Sequence, residues 1–84
     1  MIEVAEDKLG QVIEALEELR EDNTIPKNIK SKVEYIVSIL KEETDVNIRI
    51  NRVLQELEEI SDDINIQSYT RTQLFNIVSV LEKI

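Results

Sequence analysis

LEELREDNTIPKNIKSKVEYIVSILKEE, Leu16–Glu43, returns 41 residues later as LEEISDDINIQSYTRTQLFNIVSVLEKI, Leu57–Ile84. Leu16-Glu17-Glu18 matches Leu57-Glu58-Glu59, Asp22 matches Asp63, Ile25 matches Ile66, and Ile36-Val37-Ser38 matches Ile77-Val78-Ser79. A period of about 40–47 residues is the size of a unit made of two helices and a turn. The duplication predicts an all-α chain, a single helical bundle domain over residues 1–84 with an internal repeat, residues 9–43 and 50–84.

Helical spacing fills in each half. Ile2, Ala5, Leu9, Val12, Leu16 and Leu19 step by three and four, which predicts a first helix from about Glu3 to Asp22, widened at Ile13. Gly10 interrupts it at a cost of about 1 kcal/mol unless a neighbour packs closely there. Ile29, Val33, Ile36 and Leu40 predict a second helix from about Pro26 to Glu42, with Val37 and Ile39 on its flanks. Proline suits a first helical position, where its missing N–H would be unpaired anyway.

The third helix follows from Val46, Ile50, Val53, Leu57 and Ile60, with Leu54 beside them, and ends near Asp62. Thr44 or Asp45 is its capping residue. The fourth runs from Gln67 or Ser68 to the C-terminus on Leu74, Ile77, Leu81 and Ile84, with Val78 and Val80 alongside. The three connections are short, so successive helices are antiparallel. The expected architecture is an antiparallel up-and-down four-helix bundle built from two similar hairpins. A two-stranded coiled coil is the rival reading, but each stripe is too short for it and Pro26 breaks any continuous helix.

Composition narrows the chemistry. The 84 residues contain no cysteine and no histidine, which removes thiolate sites, the usual neutral-pH base and the commonest zinc ligand. Eighteen acidic residues against ten basic ones leave a net charge of −8, which repels nucleic-acid phosphates and anionic membranes. No apolar run approaches the roughly 20 residues that cross a bilayer, and MIEVAEDKLG lacks the basic and apolar blocks of a signal peptide. A cytoplasmic location is the expectation. The single glycine, Gly10, leaves no glycine-rich phosphate loop, and Ser38 and Ser79 have no histidine to activate them as nucleophiles.

The repeat, the TIPKNIK loop at Thr24–Lys30 and the ending YTRTQLFNIVSVLEKI at Tyr69–Ile84 together resemble a small archaeal family catalogued as uncharacterised protein family 0147. The resemblance covers nearly the whole chain and implies a short, acidic, all-helical bundle. That family has no assigned activity, so it carries over no functional residue. The Pro26 position becomes Gln67 in the second half, which leaves the start of the fourth helix less sharply marked.

Two constellations invite a functional reading. Glu14, Glu17, Glu18, Glu21 and Asp22, and again Glu56, Glu58, Glu59, Asp62 and Asp63, crowd the ends of the first and third helices. The helix dipole disfavours anions there. Lys27, Lys30 and Arg71 lie just across the turns and would compensate them as a solvated face. The sharper alternative is a hard-cation site drawn from Asp62, Asp63, Glu59 and Asp22, since Ca²⁺ and Mg²⁺ take oxygen ligands, although no EF-hand spacing is present.

The second constellation is Phe75, the only phenylalanine, with Val78 and Leu74. Phe75 lies off the inner line, among the uncharged Thr72, Gln73, Asn76 and Ser79, and its counterpart in the first half is Glu34. Either its ring leans over a neighbouring helix as satellite core, or it marks a contact surface, since phenylalanine is enriched at interfaces and charge is depleted at their centres. Tyr35 and Tyr69 read as rings packed at the core edge with wet hydroxyls.

The functional expectation is a non-enzymatic protein-interaction or scaffold module needing no cofactor, its partner a protein that could be a second copy of itself. The alternative is a small divalent-metal-binding protein or metal-dependent enzyme using the acidic pole.

Overall fold

A computed structural model of the chain describes the backbone of residues 2–84 and the side chains from residue 7 onward. Four helices follow one another: α1 (Ile2–Arg20), α2 (Lys27–Leu40), α3 (Val46–Ser61) and α4 (Ser68–Glu82). α1 and α3 each pack against α2 and α4, and among the described residues the diagonal pairs do not meet. This closed ring of antiparallel neighbours is the up-and-down four-helix bundle that the short connections imply. Its long axis measures 37 Å and its two short axes 20 and 19 Å.

The helical stripes become the core. Leu9, Val12, Leu16 and Leu19 of α1 meet Ile29, Val33, Ile36 and Leu40 of α2. Ile50, Val53, Leu57 and Ile60 of α3 and Leu74, Ile77 and Leu81 of α4 complete one contiguous cluster. The expected inner residues Ile2 and Ala5 lie outside the described side chains. Ile39, expected on a flank, is fully buried, whereas Ile84 packs against the core without being enclosed. Gly10 is exposed, and a methyl group added there would meet no atom within 4 Å, so no close helix contact explains it.

The loops after α1 and α3 are built alike. Asp22 Oδ1 accepts the N–H of Thr24 at 2.8 Å, and Asp63 Oδ1 accepts the N–H of Asn65 at 2.8 Å. Each aspartate thereby fixes a turn that the helix cannot continue through. In each loop the isoleucine that follows, Ile25 or Ile66, bonds back to the aspartate carbonyl at 3.3 Å and buries its side chain in the bundle end. Pro26 and Gln67 then stand at the N-caps of α2 and α4 with extended backbone, Pro26 one position earlier than expected. The carbonyl of each accepts the first bonds of its helix, so the locked φ of proline is useful but not required for the start.

The middle connection uses different devices. Asp45 caps α3, its carboxylate accepting the Asn47 N–H at 2.8 Å. At the other side of that turn Arg49 is 7% exposed, and its Nη1 donates to the carbonyl of Leu40 at 2.8 Å. Arg71 plays the corresponding part at the C-terminal end of α3. Its Nε donates to the Ser61 carbonyl at 3.2 Å and its Nη2 to the Asp63 carbonyl at 3.1 Å. At Leu40 and Ser61 the two guanidinium groups satisfy last-turn carbonyls that have no partner within their own helix and sit at the negative end of its dipole, while Arg71 also ties down the loop at Asp63.

Candidate functional site

α1 and α3 end at the same pole of the bundle, but they stand diagonally across it. Their acids are accordingly divided among separate tasks. Asp22 accepts the Thr24 hydroxyl at 2.7 Å as well as its N–H. These two bonds, with nearby Lys30 adding to them, hold the Asp22 carboxyl below the usual range. Asp63 is engaged by its own loop. Glu59 Oε2 lies 3.7 Å from Lys32 Nζ of α2, with both side chains about half exposed. Asp62 is exposed on the outer side of α3.

Among the described residues no group of three or more histidine, cysteine, aspartate or glutamate side chains converges so as to hold a metal ion. Asp22, Glu59, Asp62 and Asp63, the candidate ligands, are not brought together there. Lys30 acts on Asp22 as expected, while Arg71 corrects the charge-compensation reading: it serves backbone carbonyls, not a carboxylate. Glu56 adds a local strain of like charges. Its hydrogen bond with the Glu59 carboxyl raises it above the usual range, partial burial and the neighbouring negative charge add to this, and Lys32 and Arg52 oppose it. On the α2–α3 face Arg52 Nη1 pairs with Glu42 Oε1 at 3.1 Å, and its Nη2 reaches the Tyr35 hydroxyl at 3.4 Å.

Among the described residues the outer groove between α3 and α4, about 780 Å³, is roomier than the α1–α4 and α2–α3 grooves at about 330 Å³ each. Leu54 and Val78 are its half-buried apolar floor, and Glu58, Asp62 and Glu82 stand around it. Phe75 lines it while remaining 67% exposed. An exposure this large does not fit a ring folded down as satellite core. Leu74 must be taken off the candidate contact surface: it is 1% exposed and belongs to the inner line, one helical step of about 100° from Phe75. Tyr69 is likewise 67% exposed and touches Gln73 through its hydroxyl at 3.4 Å, so it does not pack its ring at the core edge.

The buried arginine is the feature that sequence reading misses. Arg49 adjoins Ile50 on the helix surface and looks like a flanking charge; only its reach to the end of α2 encloses it.

No helix among the described residues is long and apolar enough to cross a membrane. Comparison with curated proteins finds no match. Two solved structures are similar over nearly the whole chain. One, described as the crystal structure of unknown function protein MMP1188, is 40% identical over 93% of this chain and 90% of its own, with a TM-score of 0.87. The other, from Thermoplasma acidophilum and described as a member of uncharacterized family UPF0147, is 32% identical over 96% of each chain, with a TM-score of 0.89. The profile of the same family matches residues 1–84. This four-helix chain therefore belongs to the uncharacterised protein family UPF0147, a family of small, all-helical archaeal proteins.

Proposed function

We propose that this chain is a non-enzymatic protein-binding module acting in the cytoplasm, and that the α3–α4 groove is its contact surface. The observation that carries this reading is Phe75, which stands 67% exposed over an apolar floor of Leu54 and Val78. A large ring held out of the core costs hydrophobic free energy that a partner surface would recover. Aromatic side chains at the centre of such patches are frequent anchors of protein interfaces.

The test places a photo-crosslinking phenylalanine analogue at position 75 in cells and, as control, at position 34, its exposed counterpart in the first hairpin. Discrete protein adducts at position 75 that are missing at position 34 are the expected result. The absence of adducts at 75, or the same adducts at both positions, would refute the reading. Sedimentation equilibrium of the wild type and Phe75→Glu would show whether a second copy of the chain is among the partners.

A further inference from the structure

We propose that the α3–α4 groove receives a basic amphipathic helix of a partner protein, which sets its apolar face on Leu54, Phe75 and Val78 and its Lys or Arg side chains between Glu58 and Glu82. This rests on the protein-binding reading above and assigns the partner its chemistry.

Among the matched positions at which the two hairpins differ, one set flanks the outer groove. In the first, Lys41 Nζ of the α2 end lies 3.7 Å from Glu17 Oε1, so an ion pair spans the α1–α2 groove. Forty-one residues on, the same two positions are Glu82 and Glu58. The second groove is thus flanked by two exposed carboxylates where the first carries a cation and an anion. Exposed Glu34 becomes exposed Phe75, and buried Val37 becomes half-buried Val78. The first groove is spanned by its own ion pair, whereas the second combines an open apolar floor with three acids, Glu58, Asp62 and Glu82, against the single cation Arg71.

Among the described residues no cation pairs with these carboxylates. Arg71 lines the groove but spends Nε and Nη2 on the carbonyls of Ser61 and Asp63. Among the described residues Glu58, Asp62 and Glu82 form no ion pair. Complementary charge from outside would relieve their repulsion, and excluding water from the groove would strengthen the effect. A second copy of this chain brings the same acids and a net charge of −8, and two-fold symmetry would press like against like. Nucleic acid brings phosphates and is disfavoured for the same reason.

The groove also has a helix's shape. Its lining residues on α4, from Arg71 through Phe75 and Val78 to Glu82, follow the three-and-four spacing of one helical face. They span about 16 Å along the axis, close to three turns of a docked helix. A helix lying in a groove between two helices reads it through anchors at that spacing.

The probe is a fluorescein-labelled peptide of about 18 residues with leucine at three-and-four spacing and lysine elsewhere; a leucine–glutamate peptide of the same pattern is the counter-probe. Anisotropy is read at about 0.15 M salt, where charges beyond about 8 Å are screened. Wild type should bind the lysine peptide saturably and the glutamate peptide not at all. Phe75→Ala should weaken binding at least about tenfold, and so should Glu58→Lys/Glu82→Lys. Glu34→Lys/Glu43→Lys alters net charge equally at two exposed positions away from the groove and should bind as wild type does. Equal losses in the two double variants would reduce the effect to net charge and overturn the proposal. No binding of the lysine peptide, with adducts still forming at position 75, would overturn the basic partner and leave the protein-binding reading standing. No peptide binding and no adducts would remove both.

Discussion

Arg49 of α3 donates to the carbonyl of Leu40, the last residue of α2, across 2.8 Å, and both residues are buried. A charged hydrogen bond inside the bundle thus closes the turn between the two hairpins. Arg49→Met keeps most of the apolar stem and removes the guanidinium, so the loss reports the polar bonds of that group, the one to Leu40 among them, and not the packing. The expected cost is about 1.5–3 kcal/mol, the range for hydrogen bonds to charged groups, seen as a lower urea midpoint with unchanged slope. A midpoint equal to wild type would mean that the Leu40 carbonyl finds another donor.

Leu57→Ala tests the core. Leu57 is fully enclosed, and deleting its branched end should cost about 2–5 kcal/mol, a large share of the roughly 5–15 kcal/mol of a typical domain. Leu16→Ala, at the matched position in α1, should fall in the same range. Ile64→Ala is the contrast. Ile64 is 91% exposed in the loop after α3, and its truncation should change stability by less than about 0.5 kcal/mol. A thermal or urea midpoint for Leu57→Ala as close to wild type as that of Ile64→Ala would contradict the assigned interior.

These two predictions also separate what the sequence shows from what it hides. Leu57 was legible because a regular three-and-four spacing has one solution in a bundle: the stripe faces inward. Pro26 and Asp63 likewise mark loops through local chemistry, within a residue or two of the observed helix ends, whereas Asp22, expected as the last residue of the first helix, lies two residues past its end and belongs to the turn. Arg49 and Arg71 were not legible in their roles. Which carbonyls a long cationic side chain reaches depends on where another helix stops, and nothing in the spacing states that. Phe75 was visible as an odd residue off the inner line, but its large exposure, and the removal of Leu74 from its patch, follow only from the packing of α4 in the ring.

Gly10→Ala should stabilise the chain. Gly10 lies mid-helix in α1, has an ordinary helical backbone without positive φ, and a methyl group there would meet nothing within 4 Å. Alanine lowers the entropy of the unfolded chain and favours the helix, which together are worth about 0.4–1 kcal/mol. A rise in the thermal midpoint is the expected readout. A fall would show that the added methyl group meets atoms of the chain, contrary to the open space around Gly10.

Acid titration should reveal two carboxylates that act in opposite directions. Asp22 is lowered by its bonds from Thr24, so its contribution is present above the unfolded value of about 3.9 and is lost as pH falls through the lower folded value. Glu56 is raised by its hydrogen bond with Glu59, so the folded chain holds that proton more tightly than the unfolded one. Its contribution is complete below the unfolded value of about 4.3 and is lost as pH rises through the raised folded value. Asp22→Ala should therefore lower the thermal midpoint near pH 7 and converge on wild type at the acid end. Glu56→Gln imitates the protonated acid and can still donate to Glu59. It should match wild type at low pH and exceed it near neutrality, where the wild-type carboxyl is ionised beside a second carboxylate. Thermal midpoints of the three proteins across about pH 3–7 would check both signs. Parallel curves for Glu56→Gln and wild type would show that Lys32 and Arg52 already cancel the repulsion between Glu56 and Glu59.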